Sequence, residues 1–165
     1  MTNLILIGMP ACGKSTMGVV LAKTLGMSFI DTDLLIQQEE GEKLQKIIDE
    51  RGMEAFLAIE ERVLSQVKAD NAVISTGGSA VYSKTAMEHL KSIGKIVYIC
   101  LSLEEIQRRL KNIKTRGIAM KPGETLEDLY NKRVPLYEQY ADITLQSEGL
   151  GIESSIERLM ELLDQ

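Results

Sequence analysis

Residues 3–16 read "NLILIGMPACGKST", an apolar run that leads into a glycine-containing loop. The spacing Gly-x-x-x-x-Gly-Lys-Ser, placed between a predicted strand and a predicted helix, is typical of a phosphate-binding loop. In such a loop the backbone N–H groups and the helix N-terminus hold phosphates, Lys14 reaches the β- and γ-phosphates, and the Ser15 hydroxyl ligates Mg²⁺. The sequence therefore predicts a site for a magnesium-bound nucleoside triphosphate. The predicted phosphate-binding residues are Gly8, Pro10, Ala11, Cys12, Gly13, Lys14, Ser15 and Thr16.

Outward from this loop, short apolar runs alternate with longer segments of helical periodicity. The alternation, with almost no hairpin signals, predicts an α/β protein with a parallel sheet and helices on both of its faces. We see no linker or internal repeat and expect one domain over residues 1–165. Predicted strands are 3–8, 28–31, 72–76, 95–101 and 142–145, and predicted helices are 14–25, 33–39, 43–50, 53–69, 83–92, 103–112 and 152–163.

The composition excludes several classes of protein. The net charge of −5 argues against a nucleic-acid binder, and no apolar run approaches the roughly 20 residues that cross a bilayer. The N-terminus lacks the pattern of a signal peptide. Cys12 and Cys100 are expected to be packed thiols and not a disulfide or a metal pair. We expect a cytoplasmic protein with no membrane partner and no nucleic-acid partner.

Two aspartates indicate phosphoryl transfer and not hydrolysis. Hydrolytic P-loop proteins generally carry an aspartate at the end of another strand, but the third and fourth predicted strands end in Thr76 and Leu101. The acidic strand end is "FIDTD", which places Asp31 and Asp33 where ligands bind open α/β sheets. One carboxylate could hold a metal-bound water and the other could accept a substrate hydroxyl proton. The alternative for Asp33 is an N-cap on the following helix.

Three further features are candidate parts of an acceptor site and of a lid. The turn Gly77-Gly78-Ser79 follows the third strand and permits close approach of a ligand to backbone. Arg133 lies late in a helix that we expect Pro135 to stop, and an arginine there could clamp a carboxylate or phosphate. The basic segment 111–124 is predicted to be a mobile lid over phosphates, with a solvated surface loop as the alternative.

Taken together, these pieces resemble the shikimate kinases, small P-loop kinases of the nucleoside-monophosphate-kinase fold. The resemblance runs along essentially the whole chain, and the later motifs are more specific than the P-loop. It implies a three-layer P-loop kinase fold, a five-stranded sheet of order 2-3-1-4-5, ATP and Mg²⁺ as cofactors, and a small hydroxylated acceptor bound near residues 33–61. The matching pieces are "GMPACGKST", "FIDTD", "GMEAF", "IEE", "STGG", Arg108-Arg109, Arg116 and "KRVPLYEQYAD".

The resemblance also implies a role for each matching residue. The catalytic residues would be Lys14, Asp33 and Arg116, with Asp33 binding ring hydroxyls of the acceptor and serving as base. Arg133 would bind the acceptor carboxylate, and Glu60 would support the acceptor site. The remaining implied positions are Ser15 and Asp31 at the metal, Gly77 and Gly78 against the acceptor, Arg109 near the adenine, and Arg116 as the lid cation over the phosphates.

Three departures from the family pattern lie on or beside the acceptor side. Leu57 stands where the family has an arginine that binds the carboxylate of shikimate, Ser79 stands where it has a third glycine, and the lid reads Arg116-Gly117 where it has Arg-Pro. Loss of one charged partner costs about 1.5–3 kcal/mol, or roughly 10- to 150-fold in affinity. The acceptor is therefore shikimate or another small hydroxyl compound, such as a sugar acid, polyol or hydroxy amino acid.

Two alternatives of other kinds stay open. A non-catalytic ATP-binding regulatory protein would not need Lys14, Ser15, Asp31 and Asp33 together. A nucleoside or nucleotide kinase would be expected to carry an aromatic-rich base pocket, which this sequence, with no Trp and two Phe, does not suggest. We expect a monomeric enzyme.

Overall fold

The computed structural model describes residues 2–111 and 120–165, so the central part of the predicted lid, with Arg116 and Gly117, lies outside the described residues. The five strands form one parallel sheet of order β2-β3-β1-β4-β5. The strands are β1 (Asn3–Ile7), β2 (Ser28–Asp31), β3 (Ala72–Ser75), β4 (Gly94–Cys100) and β5 (Ile143–Gln146).

Helices cover both faces of this sheet, and the predicted three-layer arrangement and strand order are confirmed. On one side α1 packs against α8, and on the other α4 packs against α5. The helices are α1 (Lys14–Leu25), α2 (Thr32–Glu40), α3 (Leu44–Arg51), α4 (Met53–Ser65), α5 (Lys84–Ile93), α6 (Leu103–Leu110), α7 (Leu126–Tyr140) and α8 (Ile152–Leu163), with a 3₁₀ turn at Ala80–Tyr82.

The central strand β1 is apolar along almost its whole length because it is buried on both faces. Its Ile5 lies opposite Ile74 of β3 and Ile96 of β4, and all three are fully buried. This pairing brings the carboxyl ends of β1, β2 and β3 to one edge of the sheet. The P-loop follows β1, Asp31 is the last residue of β2 with Asp33 two residues later, and the Gly77-Gly78 turn begins two residues after the end of β3.

Helix α7 corrects one expectation, since Pro135 does not stop it. The helix runs on to Tyr140. Leu129, Arg133 and Tyr137 recur every four residues and are all buried, so packing of this stripe outweighs the cost of one lost backbone hydrogen bond. Pro135 itself is exposed.

None of the helices in the described part of the chain is long and apolar enough to cross a membrane. The two cysteines are free thiols, as expected, with Cys12 buried and Cys100 partly buried.

Candidate active site

The P-loop closes around the ammonium group of Lys14. Lys14 Nζ donates hydrogen bonds to the carbonyl oxygens of Gly8 at 2.7 Å and Met9 at 2.8 Å, and only 7% of the side chain surface is exposed. Gly13, which precedes helix α1, has a left-handed backbone with φ of 93°. A Cβ on Gly8 would lie 2.8 Å from the carbonyl oxygen of Ile99, so the loop can approach β4 this closely only with glycine there.

Ser15 and Asp31 present oxygen atoms to one another beside the loop. Ser15 Oγ donates to Asp31 Oδ2 at 3.0 Å and lies 3.5 Å from Ser75 Oγ. A hydroxyl and a carboxylate are ligands that suit Mg²⁺, which usually binds one or two side chains and completes its shell with water and phosphate oxygens. The described ranges contain no group of three or more His, Cys, Asp or Glu side chains that could hold a metal. The Ser15 hydroxyl and the Asp31 carboxylate by themselves fit a magnesium ion that a nucleotide carries.

The other oxygen of Asp31 caps helix α2. Asp31 Oδ1 accepts hydrogen bonds from the N–H groups of Asp33 at 2.9 Å and Leu34 at 3.4 Å. The N-cap considered for Asp33 thus belongs to Asp31, two residues earlier. Because Asp31 satisfies the helix end, the Asp33 side chain is directed elsewhere, into the space above Gly77.

Asp33, Glu60 and Arg133 converge on the Gly77-Gly78 turn from three different helices. A Cβ on Gly77 would lie 2.6 Å from Asp33 Oδ1 and 3.1 Å from Glu60 Oε2, and one on Gly78 would lie 2.7 Å from Arg133 Nη1. No side chain fits at either position without displacing one of these groups. The glycines therefore let two carboxylates and a guanidinium meet over half-buried backbone.

Glu60 is a buried carboxylate in this cluster. Only 2% of its surface is exposed, and burial is the main reason why its pKa is raised to about 7. Asp33 also raises this pKa, whereas the hydrogen bond from Ser79 and the charge of Arg133 lower it. Ser79 Oγ donates to Glu60 Oε1 at 2.7 Å.

Two tyrosines that were not predicted as site residues hold the arginine and the turn in place. Arg133 Nε donates to the hydroxyl of Tyr82 at 3.1 Å, with the guanidinium 5.2 Å from the centre of the Tyr82 ring. Tyr137 OH donates to the carbonyl oxygen of Gly78 at 2.6 Å, and its ring stacks on Tyr98 with centroids 5.2 Å apart. The position of Tyr137, four residues after Arg133 on the same helix, is a signal that could have identified it.

Leu57 presents a neutral side chain to the acceptor side of the site. It is partly buried, packs against the core, and lines an open cleft of about 680 Å³ together with Tyr82 and the cations Arg51, Lys121 and Lys132. With Glu60, Ser79 and Tyr82 it also lines a smaller cavity of about 180 Å³. Leu57 therefore lines the same small cavity as Glu60 and Ser79, and its part in acceptor binding stays a prediction.

Arg109 lies over the P-loop. Its Nη1 donates to the carbonyl oxygen of Ala11 at 3.4 Å, and its Nε pairs with Glu105 at 3.0 Å. Hydrogen bonds from Arg108 and Arg109 lower the pKa of Glu105 to about 2, so that Arg109 faces a carboxylate that stays charged. This places a cation at the edge of the phosphate site.

Comparisons with known proteins agree on one family. A family model described as "Shikimate kinase" matches residues 10–164. The shikimate kinases of Histophilus somni and Haemophilus influenzae are each 36% identical over 166 residues, which cover 98% of this chain and 95% and 92% of those proteins. A solved structure of shikimate kinase from Acinetobacter baumannii in complex with shikimate matches with a TM-score of 0.86 at 29% identity, covering 99% of this chain and 93% of that one. The shikimate kinase of Bacteroides thetaiotaomicron matches with a TM-score of 0.84 at 30% identity, covering 99% of each chain.

Proposed function

The chain belongs to the shikimate kinase family, and from this membership we propose that it transfers the γ-phosphate of ATP to a hydroxyl group of shikimate. Members of this family are phosphotransferases that act on a hydroxyl group, and this chain is a P-loop enzyme of that kind. The observation that carries the proposal is the meeting of Asp33, Glu60 and Arg133 over Gly77-Gly78, next to an intact P-loop.

The donor half of the reaction follows from the P-loop. Lys14, now bonded to two carbonyl oxygens of the loop, would exchange them for β- and γ-phosphate oxygens of ATP. Ser15 and Asp31 would hold Mg²⁺, the latter through water, and the bound ion would neutralise charge that develops on the transferred phosphoryl group. Arg109 lies beside this site, and the role of Arg116 over the phosphates stays a prediction.

The acceptor half uses the cluster over the glycine turn. The attacking hydroxyl loses its proton to the Asp33 carboxylate while its oxygen bonds to the γ-phosphorus and the bond to the ADP oxygen breaks. Arg133, held by Tyr82, would bind the acceptor carboxylate. Most of the rate enhancement would come from positioning and from charge neutralisation, since the loose transition state needs little covalent chemistry from the protein.

Leu57 favours a second candidate, the same transfer to a different small hydroxyl compound. A leucine beside Glu60 and Tyr82 offers no charge to a carboxylate. The described cluster then has one arginine, Arg133, for the acceptor carboxylate, whereas the family pattern has two. A sugar acid, polyol or hydroxy amino acid would suit a site with that balance of groups.

A coupled assay of ADP release distinguishes these candidates. The enzyme with ATP and Mg²⁺ is given shikimate in parallel with a panel of sugar acids, polyols and hydroxy amino acids. Turnover with shikimate above the background ATPase rate is the expected result. Turnover with another compound alone would reject shikimate and keep the transfer reaction, and no turnover with any compound would reject transfer to these acceptors.

The cytoplasmic location stays a prediction.

A further inference from the structure

The hydroxyl group of Ser79 binds Glu60 and does not cap the turn that follows it. It precedes the 3₁₀ turn Ala80–Tyr82, yet its side chain makes no capping hydrogen bond there. Instead Ser79 Oγ reaches across to α4 and donates to Glu60 Oε1 at 2.7 Å, with the serine 5% and the glutamate 2% exposed. The contact joins two buried groups that are 19 residues apart in the chain.

The second carboxylate oxygen of Glu60 is free to accept a hydrogen bond. Glu60 Oε2 is buried and has no hydrogen-bond partner in the described part of the chain. It lies 3.1 Å from the Cβ position of Gly77, and Asp33 Oδ1 lies 2.6 Å from the same point. A buried carboxylate oxygen left without a donor is unfavourable. A hydroxyl group bound above Gly77 would supply that donor.

The groups around Glu60 define what such a ligand must look like. Asp33 from α2 and Arg133 from α7 are the charged groups that act on Glu60, and Ser79 contributes a neutral donor from the turn. Leu57, one helical turn before Glu60 on α4, contributes no donor. Two carboxylates and one guanidinium therefore face the turn, which favours a ligand with at least two hydroxyl groups and a single anionic group.

We propose that Ser79 is a specificity-determining positioning residue, which fixes Glu60 so that Glu60 and Asp33 together accept hydrogen bonds from two hydroxyl groups of the acceptor. This inference rests on the proposed function, since it concerns the acceptor of the same transfer reaction. In this arrangement the serine hydroxyl is the side-chain donor that holds Glu60 Oε1 in place. Recognition of the acceptor thereby depends on the hydrogen bond from the neutral Ser79 hydroxyl to Glu60.

The first test compares Ser79→Ala with Ser83→Ala in the full-length enzyme. Ser83 is the control because its hydroxyl donates to Glu61, the next residue of α4, and also accepts a hydrogen bond from the N–H of Ala86 as the N-cap of α5. For Ser79→Ala we expect the KM of the acceptor to rise about tenfold, with the KM of ATP unchanged. Ser83→Ala should leave both values at the wild-type level. Equal effects of the two substitutions on the acceptor KM would overturn the inference.

A second arm asks whether a cation can replace the serine. The open cleft beside Leu57 has room for a longer side chain, and positions 57 and 60 are neighbours on one helix face. We expect Leu57→Arg to lower the acceptor KM by a larger factor in the Ser79→Ala background than in the wild type, where Ser79 already donates to Glu60. If the factor is the same in both backgrounds, the arginine does not replace the serine and Ser79 does not act by supplying a donor to Glu60.

The third arm does not depend on turnover. Carbon-13 NMR of the Glu60 carboxyl group should show a higher pKa in Ser79→Ala than in the wild type, because the serine hydrogen bond lowers that pKa. An unchanged titration of Glu60 would overturn this inference alone. Absence of turnover with every acceptor in the panel would overturn the proposed function, so the two failures are distinguishable.

Discussion

Glu60 is a buried carboxyl group that changes its charge near neutral pH. Its pKa lies at about 7 in the folded protein against 4.5 for an exposed glutamate, chiefly because the carboxylate is buried. Between these two values the folded state binds a proton that the unfolded state has lost. Folding stability from this group is therefore fully present below pH 4.5 and is lost as the pH rises through 7.

We expect the free energy of unfolding of the wild type to fall by roughly 3 kcal/mol, relative to Glu60→Gln, between pH 4.5 and pH 8. Glutamine keeps the shape and removes the titration, so the difference between the two proteins isolates Glu60. Urea unfolding at intervals of half a pH unit measures it. A difference that stays flat over this range would show that Glu60 titrates as an exposed carboxylate does.

Leu57 carries a second prediction at this scale. Leu57→Arg places a guanidinium beside Glu60 and the predicted carboxylate site, where the leucine lines an open cleft. We expect kcat/KM for shikimate to rise about tenfold, as measured by ADP release. Arg62→Leu is the control, since Arg62 is exposed and pairs with Glu40 at 3.2 Å. Unchanged or lower activity in a folded Leu57→Arg protein would show that position 57 does not face the carboxylate.

The sequence predicted some of these residues and missed others for a physical reason. Lys14 and Asp33 are identifiable because each follows a strand at a fixed spacing, so local pattern carries their position. The contact of Ser79 with Glu60 and that of Tyr137 with Gly78 join residues 19 and 59 apart. Such contacts depend on how α4 and α7 pack, which a local pattern does not encode.

At the scale of elements, β1 is fixed in the sheet by a buried polar residue at its start. Asn3 is 2% exposed, and its Nδ2 donates to the carbonyl oxygens of Ala69 and Ile93, both at 2.9 Å. Its Oδ1 accepts a hydrogen bond from the N–H of Ala72 at 2.9 Å. One side chain thus joins the beginnings of three adjacent strands.

Asn3→Leu should lower the free energy of unfolding by about 3 kcal/mol, because it leaves buried backbone groups without partners. Denaturant unfolding measures the change. Asn131→Leu on the exposed side of α7 is the matched control and should shift stability by about 0.5 kcal/mol or less. A loss as small for Asn3 as for Asn131 would contradict the structural role assigned to Asn3.

Strand positions were predicted well because each strand is a short apolar run buried in a parallel sheet. Helix ends were predicted less well. The local rule that proline ends a helix gave the wrong result at Pro135, where the buried stripe of Leu129, Arg133 and Tyr137 carries the helix onward. Helix α4 ends at Ser65, four residues earlier than periodicity suggested, although Val67 beyond its end is also buried.

At the scale of the whole molecule, the exposed apolar side chains bear on assembly. In the described part of the chain the large hydrophobic residues with the most exposure come from α1, α2 and the region around the start of α8, and the net charge is −5. A few exposed apolar side chains are ordinary for a monomer surface. They are Val19, Val20, Leu34, Leu150 and Ile152.

We therefore expect the enzyme to be monomeric at micromolar concentration. Sedimentation velocity should give a single species near 18.3 kDa whose mass does not change when ATP or the acceptor is added. A concentration-dependent shift towards twice that mass would contradict the prediction.

The extent of the single domain, 1–165, likewise stays a prediction.

The tyrosines around the glycine turn give the enzyme a built-in optical signal. The chain has five tyrosines and no tryptophan, so its near-ultraviolet emission comes from tyrosine alone. Tyr82 touches Arg133, Tyr137 touches Gly78, and Tyr98 stacks on Tyr137. Three of the five fluorophores therefore lie at or next to the predicted acceptor site, and we expect unlabelled tyrosine emission to follow occupancy of that site while the nucleotide is absent.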